Sequence, residues 1–236
     1  MITLLIPIAI VFVLYTMYVV QIILRAQMIG KELVKKARAY TSNDVSHTHS
    51  MLVLGDSTAV GTGSEPEKSV PGRFAEYFNA TVENYAVNGA TTHDLFQQSK
   101  QARKDHYDMI EIHIGANDVI GFHSLKSAAR DLDTVLTDLR GKSNSIVLLT
   151  AGNIGNAPVF VWPLNILVSY RTRILRRLFK VVCADHHVVY VDIFAEPDIF
   201  VGQEKRFYAP DGLHLTGEGY GYWFQIVRKY VNAQQS

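Results

Sequence analysis

The sequence predicts an α/β protein: a mostly parallel, five-stranded sheet layered between helices, preceded by one membrane-spanning helix. Three observations lead there. From residue 50 onward, short apolar runs bounded by turn residues alternate with amphipathic stretches, the pattern of parallel strands joined by helical crossovers. Ahead of them, residues 2–24 contain no charged side chain, only Thr3, Thr16 and Gln21 as clearly polar ones. The chain has 236 residues, 48% of them hydrophobic and 19% charged, enough for one ordinary domain with a full core.

Residues 1–24 read as a transmembrane helix. At about 1.5 Å per residue the run reaches about 35 Å, more than a hydrocarbon core of about 30 Å requires. Pro7 falls in the first turns, where a helix tolerates it. A cleaved signal peptide would carry a basic start, a shorter apolar stretch and a small-x-small cleavage site, and the sequence around Arg25 lacks this pattern. Residues 25–49 follow as a basic stalk and polar linker. Arg25, Lys31, Lys35, Lys36 and Arg38 outweigh Glu32 and Asp44 there, while the remainder holds 18 basic and 20 acidic residues. The positive excess therefore belongs to the membrane flank, which leaves a nucleic-acid-binding domain without support. His47 and His49 in the linker read as solvated side chains, not a metal site.

Residues 50–236 form the α/β domain. Strands are expected at 51–54, 81–86, 109–114, 145–150 and 188–193, each short and flanked by turn residues. Helical patterns lie between and after them at 71–79, 93–104, 125–140, 170–184 and 217–231. Cys183 is the single cysteine, which excludes an intrachain disulfide and a cysteine-cluster metal site. Gly61-Thr62-Gly63 is followed by Pro66 where a dinucleotide fingerprint needs its third glycine, and no Walker A sequence occurs, so no cofactor is expected.

Ligands of parallel sheets bind where strands end, so the residues after each strand carry the functional reading. Gly55-Asp56-Ser57 follows the first strand, Asn88-Gly89-Ala90 the second, and Gly115-Ala116-Asn117-Asp118 the third, with Asp211-Gly212-Leu213-His214 near the C-terminus. These four blocks, in this order, resemble the SGNH hydrolases, also known as the GDSL lipase/esterase family, over about residues 50 to 232. The resemblance implies a flavodoxin-like three-layer α/β/α domain and a serine esterase acting on lipid, lysophospholipid, acetylated sugar or small acyl esters. It also implies Ser57 as nucleophile, an oxyanion hole from Ser57, Gly89 and Asn117, and an Asp211–His214 pair as orienter and base.

The residue types suit that chemistry. A serine hydroxyl becomes a nucleophile when a base removes its proton, and Asp211 can hold the His214 ring in one tautomer while it does so. Neutral amide donors stabilise the oxyanion without titrating near neutral pH, and Asn117 supplies an NH₂ that an aspartate would not. The Gly-x-Ser-x-Gly elbow of α/β hydrolases is absent, since Gly55-Asp56-Ser57-Thr58-Ala59 keeps only its first glycine. The same residues would serve acyl transfer to an alcohol, and a tethered binding protein that kept the fold without turnover is the reading from another class.

Other polar residues read as structural. Asp56 and Asp118 read as loop-shaping or capping groups, and His113, with Glu111 on its strand face, as a buried structural histidine. His93, Asp94, His186 and His187 read as surface or packing residues. The segment 157–168 (APVFVWPLNILV) is unusually apolar for a connection. Trp162 and Leu164 within it could line an acyl pocket, face the bilayer or pack as core. The helix that follows carries Arg173, Arg176, Arg177 and Lys180 on one face, as an ordinary amphipathic surface helix does.

The expected partners are an ester substrate and the lipid bilayer, with neither nucleic acid nor metal; the oligomeric state is left open. Charge places the domain on the cytoplasmic side of the membrane, since five Lys or Arg side chains follow the span and none precedes it, whereas the habit of the family is to act outside the cytoplasm.

Overall fold

The structure is a computed structural model that describes residues 2–44, 46–143 and 145–235. It opens with helix α1 (Ile2–Lys36), which runs through the apolar stretch and the basic flank without a break. Among the described residues α1 is the one helix long and apolar enough to cross a membrane.

Five strands follow among the described residues: β1 (His49–Gly55), β2 (Ala80–Asn84), β3 (Met109–His113), β4 (Ile146–Leu149) and β5 (Val189–Val191). They pair in the order β2-β1-β3-β4-β5, every neighbouring pair parallel. This is the doubly wound order, in which the direction of winding reverses between β1 and β3 and opens a crevice at their carboxyl ends. The register there sets Leu54 opposite Ile112 and Gly55 opposite His113.

Side chains alternate across the sheet, and both faces are covered, which is why the strands read as nearly unbroken apolar runs. Met51, Val53, Val147 and Leu149 pack toward α3 (Val70–Phe78) and the last helix, which contribute Phe74, Tyr220 and Val227. Leu52, Leu54, Ile110, Ile112 and Leu148 pack toward the opposite layer with Leu132, Leu136, Leu175 and Phe179. In chain order the remaining helices are α2 (Ser57–Val60), α4 (Leu95–Ser99), α5 (Ala116–Ile120), α6 (Leu125–Asp138), α7 (Leu164–Asp185), α8 (Glu204–Phe207) and α9 (Gly217–Gln235). The result is the expected three-layer α/β/α domain.

Two expected helices are corrected. The helix at 93–104 shortens to a single 3₁₀ turn, Thr92–Asp94, and α4. Beyond α4 the Arg103 N–H is taken by Glu83 Oε2 and Tyr107 Oη, at 3.1 Å each, and the Lys104 N–H by Tyr107 Oη at 3.2 Å. Tertiary acceptors thus replace the helical ones. Helix α7 begins at Leu164, not at 170, and so absorbs the end of the apolar segment. Its Arg176 is not a free surface cation: Arg176 grips Asp192 with two bonds of 2.6 Å, and Lys180 adds a third at 3.1 Å. Ser42 exchanges backbone hydrogen bonds with Val82, at 3.2 and 2.8 Å, and covers part of the β2 edge.

Candidate active site

Ser57 stands just outside the carboxyl end of β1. Gly55 ends the strand at φ +144°, and a Cβ there would come within 2.1 Å of the His113 carbonyl oxygen, so the tight join between β1 and β3 requires glycine. The Asp56 N–H still bonds to the His113 carbonyl at 2.9 Å, after which the chain leaves the sheet. The Asp56 side chain then caps α2, its Oδ1 accepting from the Thr58 N–H and hydroxyl at 2.8 Å each. This fixes Ser57 at the first position of α2.

Asp56 is buried and its Oδ2 has no hydrogen-bond partner among the described residues. Burial raises its pKa above the ordinary carboxylate value despite the bonds from Thr58 and the nearby His113 and His214. Beneath it on β3, His113 Nε2 lies 2.9 Å from Glu111 Oε1, both side chains fully buried and the pair without hydrogen-bond alignment.

A residue that sequence reasoning missed holds the β1 end in place. Gln98 of α4 accepts from the Gly55 N–H at 2.7 Å and donates to the Gly55 carbonyl at 2.9 Å, wholly buried. No motif marks it.

The turn after β2 brings Gly89 beside Ser57. Gly89 sits at φ +82°, the Val87 N–H bonds back to the Gly55 carbonyl at 3.0 Å, and the Thr62 hydroxyl donates to Asn88 Oδ1 at 2.5 Å. Asn117 enters from the first turn of α5, its Nδ2 donating to the Ala90 carbonyl at 2.8 Å. One of its two amide hydrogens is thereby used for orientation and the other is left over. Asp118 next to it accepts from the Thr92 N–H at 3.0 Å and hydroxyl at 2.8 Å, the loop-shaping part the sequence suggests.

Asp211 and His214 lie in the loop before α9. His214 Nδ1 is 2.5 Å from Asp211 Oδ2, while Asp211 Oδ1 accepts from the Leu213 and His214 N–H groups at 3.1 Å each. Burial works to raise the Asp211 pKa, but the bond and charge of His214 and the two backbone donors outweigh it and hold the carboxyl below its ordinary value. With Nδ1 engaged, Nε2 is the ring nitrogen left for a substrate-side proton.

Ser57, Gly89, Asn117 and His214 line one cavity of about 390 Å³, with Asp211 behind His214. Its apolar wall includes Ile154, Phe194, Phe200 and Trp223, and α1 adds Val34. Of the readings left open for Trp162 and Leu164, the acyl wall finds no support in this cavity: neither residue lines it, and Trp162 is 62% exposed beside α1. Ile154, Asn156 and Ala157, in and just after the 3₁₀ turn Ile154–Asn156, stand in the cavity wall. The wall residues Val34, Phe200 and Trp223 carry no sequence signal of their own.

The comparisons with known proteins bear on the family and the fold. The model of the GDSL-like Lipase/Acylhydrolase family matches residues 53–222. An extracellular lipase from Streptomyces rimosus superposes with a TM-score of 0.61 at 17% identity, over 78% of this chain and 100% of that one. A phospholipase A1 from Streptomyces albidoflavus gives 0.59 at 18% identity, over 77% and 99%. An acetylxylan esterase from Geobacillus stearothermophilus gives 0.57 at 21% identity, over 78% and 94%. At these identities the likeness concerns the fold. No curated protein sequence matches the chain.

Proposed function

This chain belongs to the GDSL-like lipase/acylhydrolase family, and on that premise we propose that it is a membrane-anchored serine esterase with Ser57 as nucleophile, His214 as base and Asp211 as orienter. The observation that carries the reading is the 2.5 Å contact between His214 Nδ1 and Asp211 Oδ2 behind a cavity that Ser57 and His214 share.

His214 Nε2 takes the hydroxyl proton as Ser57 Oγ attacks the ester carbonyl, and Asp211 stabilises the imidazolium so formed. The tetrahedral oxyanion is met by the Ser57 and Gly89 N–H groups and by the Asn117 amide hydrogen that Ala90 does not use. His214 then protonates the departing alcohol, and a water, deprotonated by the same ring, hydrolyses the acyl-enzyme. The apolar wall of Ile154, Phe200 and Trp223 suits an acyl chain. Structural neighbours named lipase, phospholipase A1 and acetylxylan esterase support an ester substrate.

In this reading α1 is an uncleaved single span, residues 25–49 connect it to the hydrolase domain 50–236, and the basic residues after the span put that domain on the cytoplasmic side. A serine-directed fluorophosphonate probe tests the chemistry. It labels the wild type and fails on Ser57→Ala; substantial ester turnover in a folded Ser57→Ala protein overturns the mechanism. Protease digestion of a C-terminal tag in intact cells would reject the cytoplasmic side.

A further inference from the structure

Helix α1 does not stand clear of the domain. The Tyr15 hydroxyl donates to the Trp162 carbonyl at 2.5 Å, and the two rings lie 6.1 Å apart. Tyr15 comes ten residues before Arg25, the first charge after the apolar run, and therefore about 15 Å away along the helix. Between them Met17, Val20 and Leu24 are exposed apolar side chains. A bilayer that covers them has its hydrocarbon boundary near Arg25. Trp162 shares the depth of Tyr15, and a tilt of up to about 40° reduces that depth to no less than about 11 Å.

The surface at that depth is apolar. Trp162, Ile166, Leu167 and Tyr170 are all exposed, and the last three share one side of the first turns of α7. No side chain from 157 to 168 is charged. Phe122 is exposed as well, its ring 4.9 Å from the Arg171 guanidinium, which bonds the backbone carbonyls of Asp118, Val119 and His123. Exposing Trp162, Ile166, Leu167 and Tyr170 together is unfavourable in water; in hydrocarbon it is not.

We propose that this face is seated in the leaflet beside α1, so that the domain is embedded in the membrane surface, not tethered above it, and that its ester substrate is an amphiphile of that leaflet. The proposal rests on the reading of α1 as an uncleaved span and of the domain as an esterase. The height of the cavity agrees with it. Gly30 and Val34 lie about 7.5 and 14 Å past Arg25 along α1, on the aqueous side. Gly30 adjoins Asp211 and Val34 lines the cavity. The headgroup layer is about 5–8 Å thick, so the cavity opens just above it. A single-chain amphiphile raised partway exchanges the methylenes that leave the leaflet for the apolar wall of Ile154, Phe200 and Trp223.

The chain has two tryptophans, so Trp223→Phe makes Trp162 the only indole emitter, and this readout needs no turnover. The full chain is reconstituted into phosphatidylcholine vesicles containing a fraction of phosphatidylglycerol brominated at successive acyl carbons, then floated through a density gradient. The expected result is flotation with Trp162 emission quenched by acyl-chain bromines and shielded from aqueous iodide. Flotation with Trp162 open to iodide and untouched by every bromolipid overturns the seating alone. Protein that stays at the bottom overturns the span, and the seating with it. For the substrate class, Ile166→Ser/Leu167→Ser/Tyr170→Ser is compared with wild type on p-nitrophenyl acetate in solution and on lysophosphatidylcholine in vesicles. A loss of about tenfold or more confined to the vesicle substrate is expected. Equal turnover of both substrates by the variant and the wild type overturns the leaflet substrate, and absence of turnover by the wild type on any ester overturns the esterase reading instead.

Discussion

Gly30 of α1 stands against Asp211: a Cβ built on Gly30 would lie 3.3 Å from Asp211 Oδ2, the same oxygen that holds His214 at 2.5 Å. Helix α1 therefore passes close beside the Asp211 carboxylate of the proposed catalytic pair, with room for no more than a small side chain at Gly30. Gly30→Ala asks Asp211 to yield by a few tenths of an ångström and is expected to cost little. Gly30→Leu pushes the carboxylate and the His214 ring off line and should lower kcat roughly 10-fold to 10²-fold on a soluble ester. Unchanged kcat in Gly30→Leu would mean that α1 stands off from the loop.

Asn117 spends one amide hydrogen on Ala90 and is proposed to spend the other on the oxyanion. Asn117→Ala should lower kcat by roughly 10²-fold to 10³-fold with a smaller change in KM. Steady-state kinetics on one ester separates the two parameters. An effect confined to KM would assign Asn117 to substrate binding.

Gln98→Leu leaves both the N–H and the carbonyl of Gly55 buried without their side-chain partner. The N–H is left unpaired, at a cost of about 1–3 kcal/mol, whereas the carbonyl keeps the bond from the Val87 N–H. The urea midpoint of the detergent-solubilised chain should fall accordingly, and Ser57 labelling by a fluorophosphonate should slow, since β1 loses the clamp at the end from which Ser57 projects. A midpoint equal to the wild type would show that water replaces the amide.

Asp56 supplies a test in pH. Its pKa in the folded chain is raised by burial, so folding binds a proton above the ordinary value of 3.8 and stability falls as pH rises from there through the raised value. Asp56→Asn keeps an oxygen for the Thr58 cap and removes this titration. Measured by denaturant unfolding from pH 4 upward, the variant should gain stability relative to the wild type as pH increases. A constant difference across that range would mean that Asp56 titrates alike in the folded and unfolded chains. Asp211 has the opposite sign: its lowered pKa stabilises the fold above the ordinary value and that contribution disappears as pH falls through the lowered one.

The strands were legible because each is buried on both faces and ends in residues that suit a turn. The expected 109–114 and the observed Met109–His113 differ by one residue, and Gly115 follows with φ +110°. The expected helix at 93–104 was not legible as two short turns, since its amphipathic spacing says nothing of Glu83 and Tyr107, which claim the Arg103 and Lys104 amides from elsewhere in the fold. Trp162 shows the same limit. Its apolar neighbourhood admitted pocket, bilayer or core, and the contact with Tyr15, 147 residues away in the chain, is one that no local pattern announces.

By itself the sequence determined the layered α/β class, the apolar helix at the start and the polar residues that close each strand, because periodicity, charge-free length and turn chemistry are local properties of the chain. The tertiary structure decided which of those residues meet. The order β2-β1-β3-β4-β5 sets Gly55 beside His113, draws the turns of Ser57, Gly89 and Asn117 around one crevice, and lets α1 supply Gly30 and Val34 to its edge. Those contacts join segments far apart in the chain and are selected by burial of both sheet faces, a property no single stretch of sequence contains.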